Sequence, residues 1–133
     1  MPLSYSKAGA VATFTIDNGK VNVFTPAMHR ELHDALVDFN RDSAIRVGIL
    51  TGSAGASFCA GDDIRTVLPE LTPQQALEAH LSPHCHEERT GLTRPGWEQD
   101  VMRLRRVKPI IGAVDRYCLG QGLIYLLLLT ELR

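Results

Sequence analysis

Two apolar runs constrain this chain more than any other feature: "VGILTG", residues 47–52, and "PIIGAV", residues 109–114. Neither alternates apolar with polar residues, which is the pattern of a strand buried on both faces. Each leads into a glycine-containing turn, "CAGDDI" or "CLGQGL", and then into a helical pattern. Strands alternating with helices in this way predict an α/β fold with at least a partly parallel sheet. In such sheets ligands bind beyond the carboxyl ends of the strands, where helix N-termini present N–H groups and the positive end of a dipole.

The rest of the chain fits that frame. "VATFTID" alternates, with Ala12, Phe14 and Ile16 on one face, and predicts a half-buried strand. "DNGK" is a turn signal and "VNVF" a short extended segment. Thr25 suits an N-cap and Pro26 the first helical position. Met28, Leu32, Ala35, Leu36 and Phe39 then recur at helical spacing, with Arg30, Asp34, Asp38 and Arg41 facing water. A short helix is expected from Ile64 to Leu68, stopped before Pro69. A second is expected in "TPQQALEAHL", which opens with a capping box of Thr72 and Gln75. "SPHCHEERTGLTRPG" reads as a loop. Trp97, Val101, Leu104 and Val107 mark a further amphipathic helix, and "LIYLLLLT" reads as a deeply buried one. There is no internal repeat.

With 133 residues the chain is long enough for one domain and too short for two. Its 44% hydrophobic and 22% charged residues are those of a globular protein. A net charge of -1, with both signs mixed along the chain, gives no electrostatic case for nucleic acid or an anionic membrane as partner. "LIYLLLLTEL" is too short to span a bilayer, and the start lacks a signal-peptide layout. Cys59, Cys85 and Cys118 leave at least one thiol unpaired, so reduced thiols and a cytoplasmic location are expected.

If the two glycine turns lie side by side, one N–H from each can converge on a single oxygen and stabilise negative charge there. On pattern alone each reads more simply as a strand-to-helix turn in which the aspartates cap the helix start, since glycine turns after strands are common.

Three stretches carry a resemblance. "FCAGDDI" resembles the F-x-A-G-x-D-[ILV] motif of the crotonase superfamily, the enoyl-CoA hydratase/isomerase family. "KPIIGAVDRYCLGQG" resembles its K-P-[VI]-I-A-A-[VI]-x-G-x-[AC]-x-G-G-G segment, and "NVFTPAMHRELHDAL" its N-[AS]-[LF] stretch with the following helix. Order and spacing fit from about Val11 to Arg133, which resembles the family's amino-terminal half. The resemblance implies a crotonase-like spiral of ββα repeats, lacking the C-terminal helices, that binds an acyl-CoA thioester. It further implies that the backbone N–H groups of Asp62 and Gln121 form the oxyanion hole, with the Asp62 side chain freer to vary. Asp63, Ile64 and Arg65 would border the pantetheine and acyl group, the Ala60 carbonyl would meet the adenine, and Val23 and Phe24 would contact coenzyme A. No metal or organic cofactor is implied beyond the coenzyme A of the substrate, and a homotrimer or hexamer is expected.

This sequence departs from that pattern at definite points. Gln121 replaces the middle glycine, a strained choice if the position needs positive φ. Ile124 stands where hydratases carry a glutamate, and isoleucine transfers no proton. The second hydratase glutamate would lie past "TELR", so a non-catalytic coenzyme A-binding or scaffold protein, or a fragment of a longer enzyme, are alternatives. Residues 82–96 look like an inserted loop in a single 1–133 core. Its His84, His86, Glu87 and Glu88 are candidate titratable groups, more simply read as solvated. His80, His84, Cys85 and His86 do not make a zinc site, since the paired half-sites are incomplete. Cys59 and Cys118 have no neighbouring histidine in sequence to activate a thiolate. Tyr117 and Tyr125 read as core or subunit contacts.

Overall fold

A computed structural model describes residues 2–67, 72–74, 77 and 101–130. Strand β1 (Leu3–Ala8) turns back at Gly9 into β2 (Val11–Ile16), and the two pair antiparallel from Leu3↔Ile16 to Ala8↔Val11. A short β3 (Val23–Phe24) precedes helix α1 (Pro26–Arg41). Then come β4 (Val47–Gly52), β5 (Gly61–Asp62), α2 (Ile64–Val67), β6 (Ile110–Ala113) and α3 (Gln121–Thr130). Four strands form one sheet in the order β1-β2-β4-β6, and β3 and β5 form a second. β2 with β4, β4 with β6 and β3 with β5 are all parallel.

The chain therefore repeats one unit. β2, β3 and α1 make a turn; β4, β5 and α2 make the next; β6, a bridge at Cys118 and α3 make the third. Each turn gives one strand to the large sheet and a helix; the first two also give the strands of the small sheet, and the third an isolated parallel bridge from Cys118 to Cys59.

α1 forms where its sequence says it should. The Thr25 hydroxyl accepts from the Met28 N–H at 3.4 Å, and Pro26 fills the first turn. Met28, Leu32, Leu36 and Phe39 are buried against Ala12, Phe14, Ile16 and Leu50 of the large sheet. Each such side chain contributes about 1.5–3 kcal/mol by leaving water. Phe14 meets Phe39 edge-on and stacks with Tyr5, at 5.5 and 5.0 Å between centroids. Buried Asn22 bonds from its side-chain amide to the carbonyls of Ile16 and Ser57 at 2.9 and 2.7 Å. It thereby ties the end of β2 to the turn after β4.

Several expectations are corrected. β4 alternates: Gly48 and Leu50 are buried, while Val47 and Ile49 are half-buried. In β6, Ile111 is 58% exposed, and α3 exposes Leu123, Ile124 and Leu127. Both segments are apolar on a face for which the described residues supply no full cover. The helix expected through Val107 is helical at 101–103 and bends at Leu104. β1 carries no strand pattern in its sequence, because "LSYSKA" buries only Leu3. Pro73, Gln74 and Leu77 are helical as expected. Gln75 of the capping box, Trp97 and the 82–96 loop lie outside the described residues.

Candidate active site

The two glycine turns run side by side. The Phe58 N–H donates to the Asp115 carbonyl at 2.8 Å, the Cys59 N–H to Tyr117 at 3.0 Å, and the Leu119 N–H to Cys59 at 2.9 Å. These bonds hold the turns in parallel until each reaches its glycine. Gly61 has φ of 109° and Gly120 φ of 53°, values open to glycine and strained for other residues. A Cβ on Gly61 would lie 3.7 Å from the Gln121 peptide nitrogen. The peptides that contain the Asp62 and Gln121 nitrogens are thus neighbours.

Gln121 opens α3 without entering the left-handed region, so the strain its replacement of glycine threatened does not arise; Gly120 takes the positive φ instead. As the first residue of a ten-residue helix, it presents its N–H where the helix leaves donors unsatisfied internally. Its side chain is buried, with Nε2 lacking a hydrogen-bond partner among the described residues. Gly122 follows because α3 starts against the Cys59 backbone: a Cβ there would stand 2.5 Å from Cys59 Cβ.

Asp62 departs from expectation. Its side chain is only 8% exposed, and its Oδ1 lies 3.0 Å from His29 Nε2. His29 Nδ1 in turn lies 2.6 Å from the Tyr125 hydroxyl. A carboxylate fixed in a buried hydrogen-bonded chain is not a freely variable side chain. His29 does not stand out in the sequence, because an apolar pattern passes over histidine. Yet 29, 32 and 36 share the i, i+3, i+7 spacing of the buried face of α1, and that was the available signal.

The capping reading holds for the other aspartate. Asp63 Oδ1 accepts from the Arg65 N–H at 3.1 Å, at the start of α2. The Arg65 side chain, 85% exposed, also reaches Asp63 Oδ1 at 3.3 Å, and Ile64 is 69% exposed. Val23 and Phe24 pair with Gly61 and Asp62, which sets β3 beside the turn that runs from Ala60 to Asp63. Val23 and Ala60 are half-buried. The Phe24 side chain is fully buried, which leaves its main chain alone to face a ligand. Lys20, Val21, Ser57, Arg116 and Tyr117 line a groove alongside the same turns.

Cys59 is buried and its thiol is pushed up to about 11, first by burial and then by the nearby Asp62 charge. Cys118 is raised by burial as well. Neither is poised as a thiolate at neutral pH. Ile124 is 42% exposed on α3. His80, His84, Cys85, His86, Glu87 and Glu88 lie outside the described residues. Among the described residues no three His, Cys, Asp or Glu side chains cluster to hold a metal ion, and no helix is long and apolar enough to cross a membrane.

Known proteins are similar to this chain in sequence and fold. Carnitinyl-CoA dehydratase of Escherichia coli K12 is 28% identical over 120 residues, which are 90% of this chain and 40% of that protein. The Citrobacter koseri protein of the same name gives the same values. The chain thus spans about two-fifths of the length of the curated relatives it matches. The crystal structure of an enoyl-CoA hydratase from Mycobacterium marinum matches with a TM-score of 0.66 and 29% identity, over 98% of this chain and 44% of that one. Another, from Mycobacterium tuberculosis H37Rv, gives 0.65 and 27%, with the same coverage. The expected crotonase-like architecture is therefore the one observed. The enoyl-CoA hydratase/isomerase model matches residues 6–130, and the chain belongs to that family.

Proposed function

We propose that this chain processes an acyl-CoA thioester, whose carbonyl oxygen sits between the peptide N–H groups of Asp62 and Gln121. The observation that carries the reading is the pairing of the two turns, which makes Gly61 and the Gln121 nitrogen neighbours at the start of α3. Two preorganised donors aimed at that oxygen stabilise an enolate-like state, each by about 2.7–4 kcal/mol. The groove beside Lys20 and Arg116 suits the anionic end of a nucleotide, and the exposed Ile64 and Arg65 lie where the pantetheine would pass. The chemistry asks for no metal or organic cofactor.

Ile124 weighs against plain water addition, because a positioned acid or base contributes about 10²- to 10⁴-fold. Isomerisation, hydrolysis or another enolate reaction fits better. Incubation with crotonyl-CoA and a panel of other thioesters tests this by loss of the enoyl or thioester chromophore. Turnover of any member supports an enzyme. Tight coenzyme A binding with no turnover of the panel favours the second reading, a non-catalytic coenzyme A-binding or scaffold protein, which the isoleucine at position 124 itself suggests. Self-association as a trimer or hexamer would cover the exposed Leu123, Ile124 and Leu127 of α3.

A further inference from the structure

A single hydrogen-bonded chain of side chains joins the two turns from behind. It runs from Asp62 Oδ1 to His29 Nε2 at 3.0 Å, and from His29 Nδ1 to the Tyr125 hydroxyl at 2.6 Å. Asp62 belongs to the first turn and His29 to α1. Tyr125 lies on α3, four residues and about one helical turn beyond Gln121. With the proton on Nε2, the imidazole donates to the carboxylate and accepts from the tyrosine hydroxyl, so one arrangement satisfies both bonds. The ring has little freedom to leave. It is 3% exposed, stacks on Phe24 at 5.1 Å and meets Tyr125 edge-on at 5.6 Å. Phe24 is also the β3 partner of Asp62.

A core that needed only volume would place leucine or methionine at position 29, with no buried polar group to satisfy. The peptide just before Asp62 follows Gly61, the most permissive backbone in the turn, and glycine alone does not hold a peptide plane. Donors stabilise a developing oxyanion only when they are aimed beforehand. We propose that His29 is a positioning residue: by gripping the Asp62 side chain and the Tyr125 hydroxyl together, it fixes the separation and aim of the Asp62 and Gln121 N–H groups. This rests on the oxyanion reading given above.

The test uses the full chain with butyryl-CoA, a saturated thioester, labelled with ¹³C at its carbonyl. Isotope-edited Raman spectroscopy reads the bound carbonyl stretch, and circular dichroism confirms that each variant is folded. We expect the wild-type chain to move the band to lower frequency. Tyr125→Phe removes one hydroxyl and His29→Leu both bonds. Each should lose most of that shift while affinity changes by less than about threefold, because the groove proposed for the nucleotide, lined by Lys20 and Arg116, includes none of the Asp62, His29 and Tyr125 side chains. His29→Gln, which can donate and accept along the same line, should recover part of it. A folded Tyr125→Phe chain that keeps the full shift overturns the positioning role and leaves the oxyanion reading standing. No band shift in the wild-type chain overturns both.

Discussion

Gly61 and Gly120 meet across the paired turns, where a Cβ on Gly120 would stand 3.4 Å from the Gly61 Cα. Space is thus ordinary at Gly120, and conformation decides the cost of adding a methyl group. At φ of 53° Gly120 occupies the left-handed region, which an alanine enters at about 1–2 kcal/mol. At φ of 109° Gly61 lies further from anything an L-residue prefers, at about 2–3 kcal/mol. Urea unfolding should rank Gly61→Ala as the more destabilising change. The reverse order would show that the first turn relaxes more easily than the second.

Gly122 is held by distance instead. An added Cβ would meet Cys59 Cβ at 2.5 Å and the Cys59 carbonyl oxygen at 3.1 Å, and neither atom is the end of a flexible side chain. Gly122→Ala must push α3 off the first turn, with a loss of about 1–3 kcal/mol. Cys59→Gly removes the nearer obstacle, so a double-mutant cycle should show the two changes partly compensating. Strict additivity in thermal melts would refute the clash.

What the sequence made legible follows from what periodicity can see. β2 and α1 each present one apolar face, and Ala12, Phe14, Ile16, Met28, Leu32 and Phe39 are all fully buried or nearly so. β6 and α3 are apolar on more than one face, a pattern that reports affinity for cover without saying where the cover comes from. Ile111, Leu123 and Leu127 are consequently exposed where burial was expected. At the site, the glycines and the paired turns were readable because main-chain geometry writes itself into glycine positions. The chain from Asp62 to Tyr125 was not, since polar contacts between residues 33 and 96 positions apart leave no local period.

Lys108 closes the C-terminal end of α1 from outside the helix. Its ammonium donates to the Phe39 carbonyl at 2.6 Å and to that of Asp42, and lies 5.2 Å from the Phe39 ring centroid. A cation on the carbonyls at a helix C-terminus contributes about 1–2 kcal/mol when partly buried. Lys108→Met should lower the unfolding free energy by that amount. Lys7→Met, which removes an exposed ammonium between Asp38 and Asp42, should change it far less. Equal losses in chemical unfolding would show that the carbonyl contacts add nothing over a surface ion pair.

Cys59 gives a dependence on alkaline pH with a defined sign. Burial raises its thiol from 9.0 to about 11, so between those values the folded chain holds a proton that the unfolded chain has released. The unfolded state then binds fewer protons than the native state, and stability falls as pH rises. The stabilisation is fully present below pH 9 and is lost toward pH 11, by about 2–3 kcal/mol for a two-unit rise. Cys59→Ala removes the titrating group while leaving the fold's other alkaline groups in place. The stability difference between wild type and Cys59→Ala should therefore be constant up to about pH 9 and shrink above it, in urea unfolding at stepped pH. A difference that stays flat to pH 11 would mean that the thiol is no more desolvated in the folded chain than in the unfolded one.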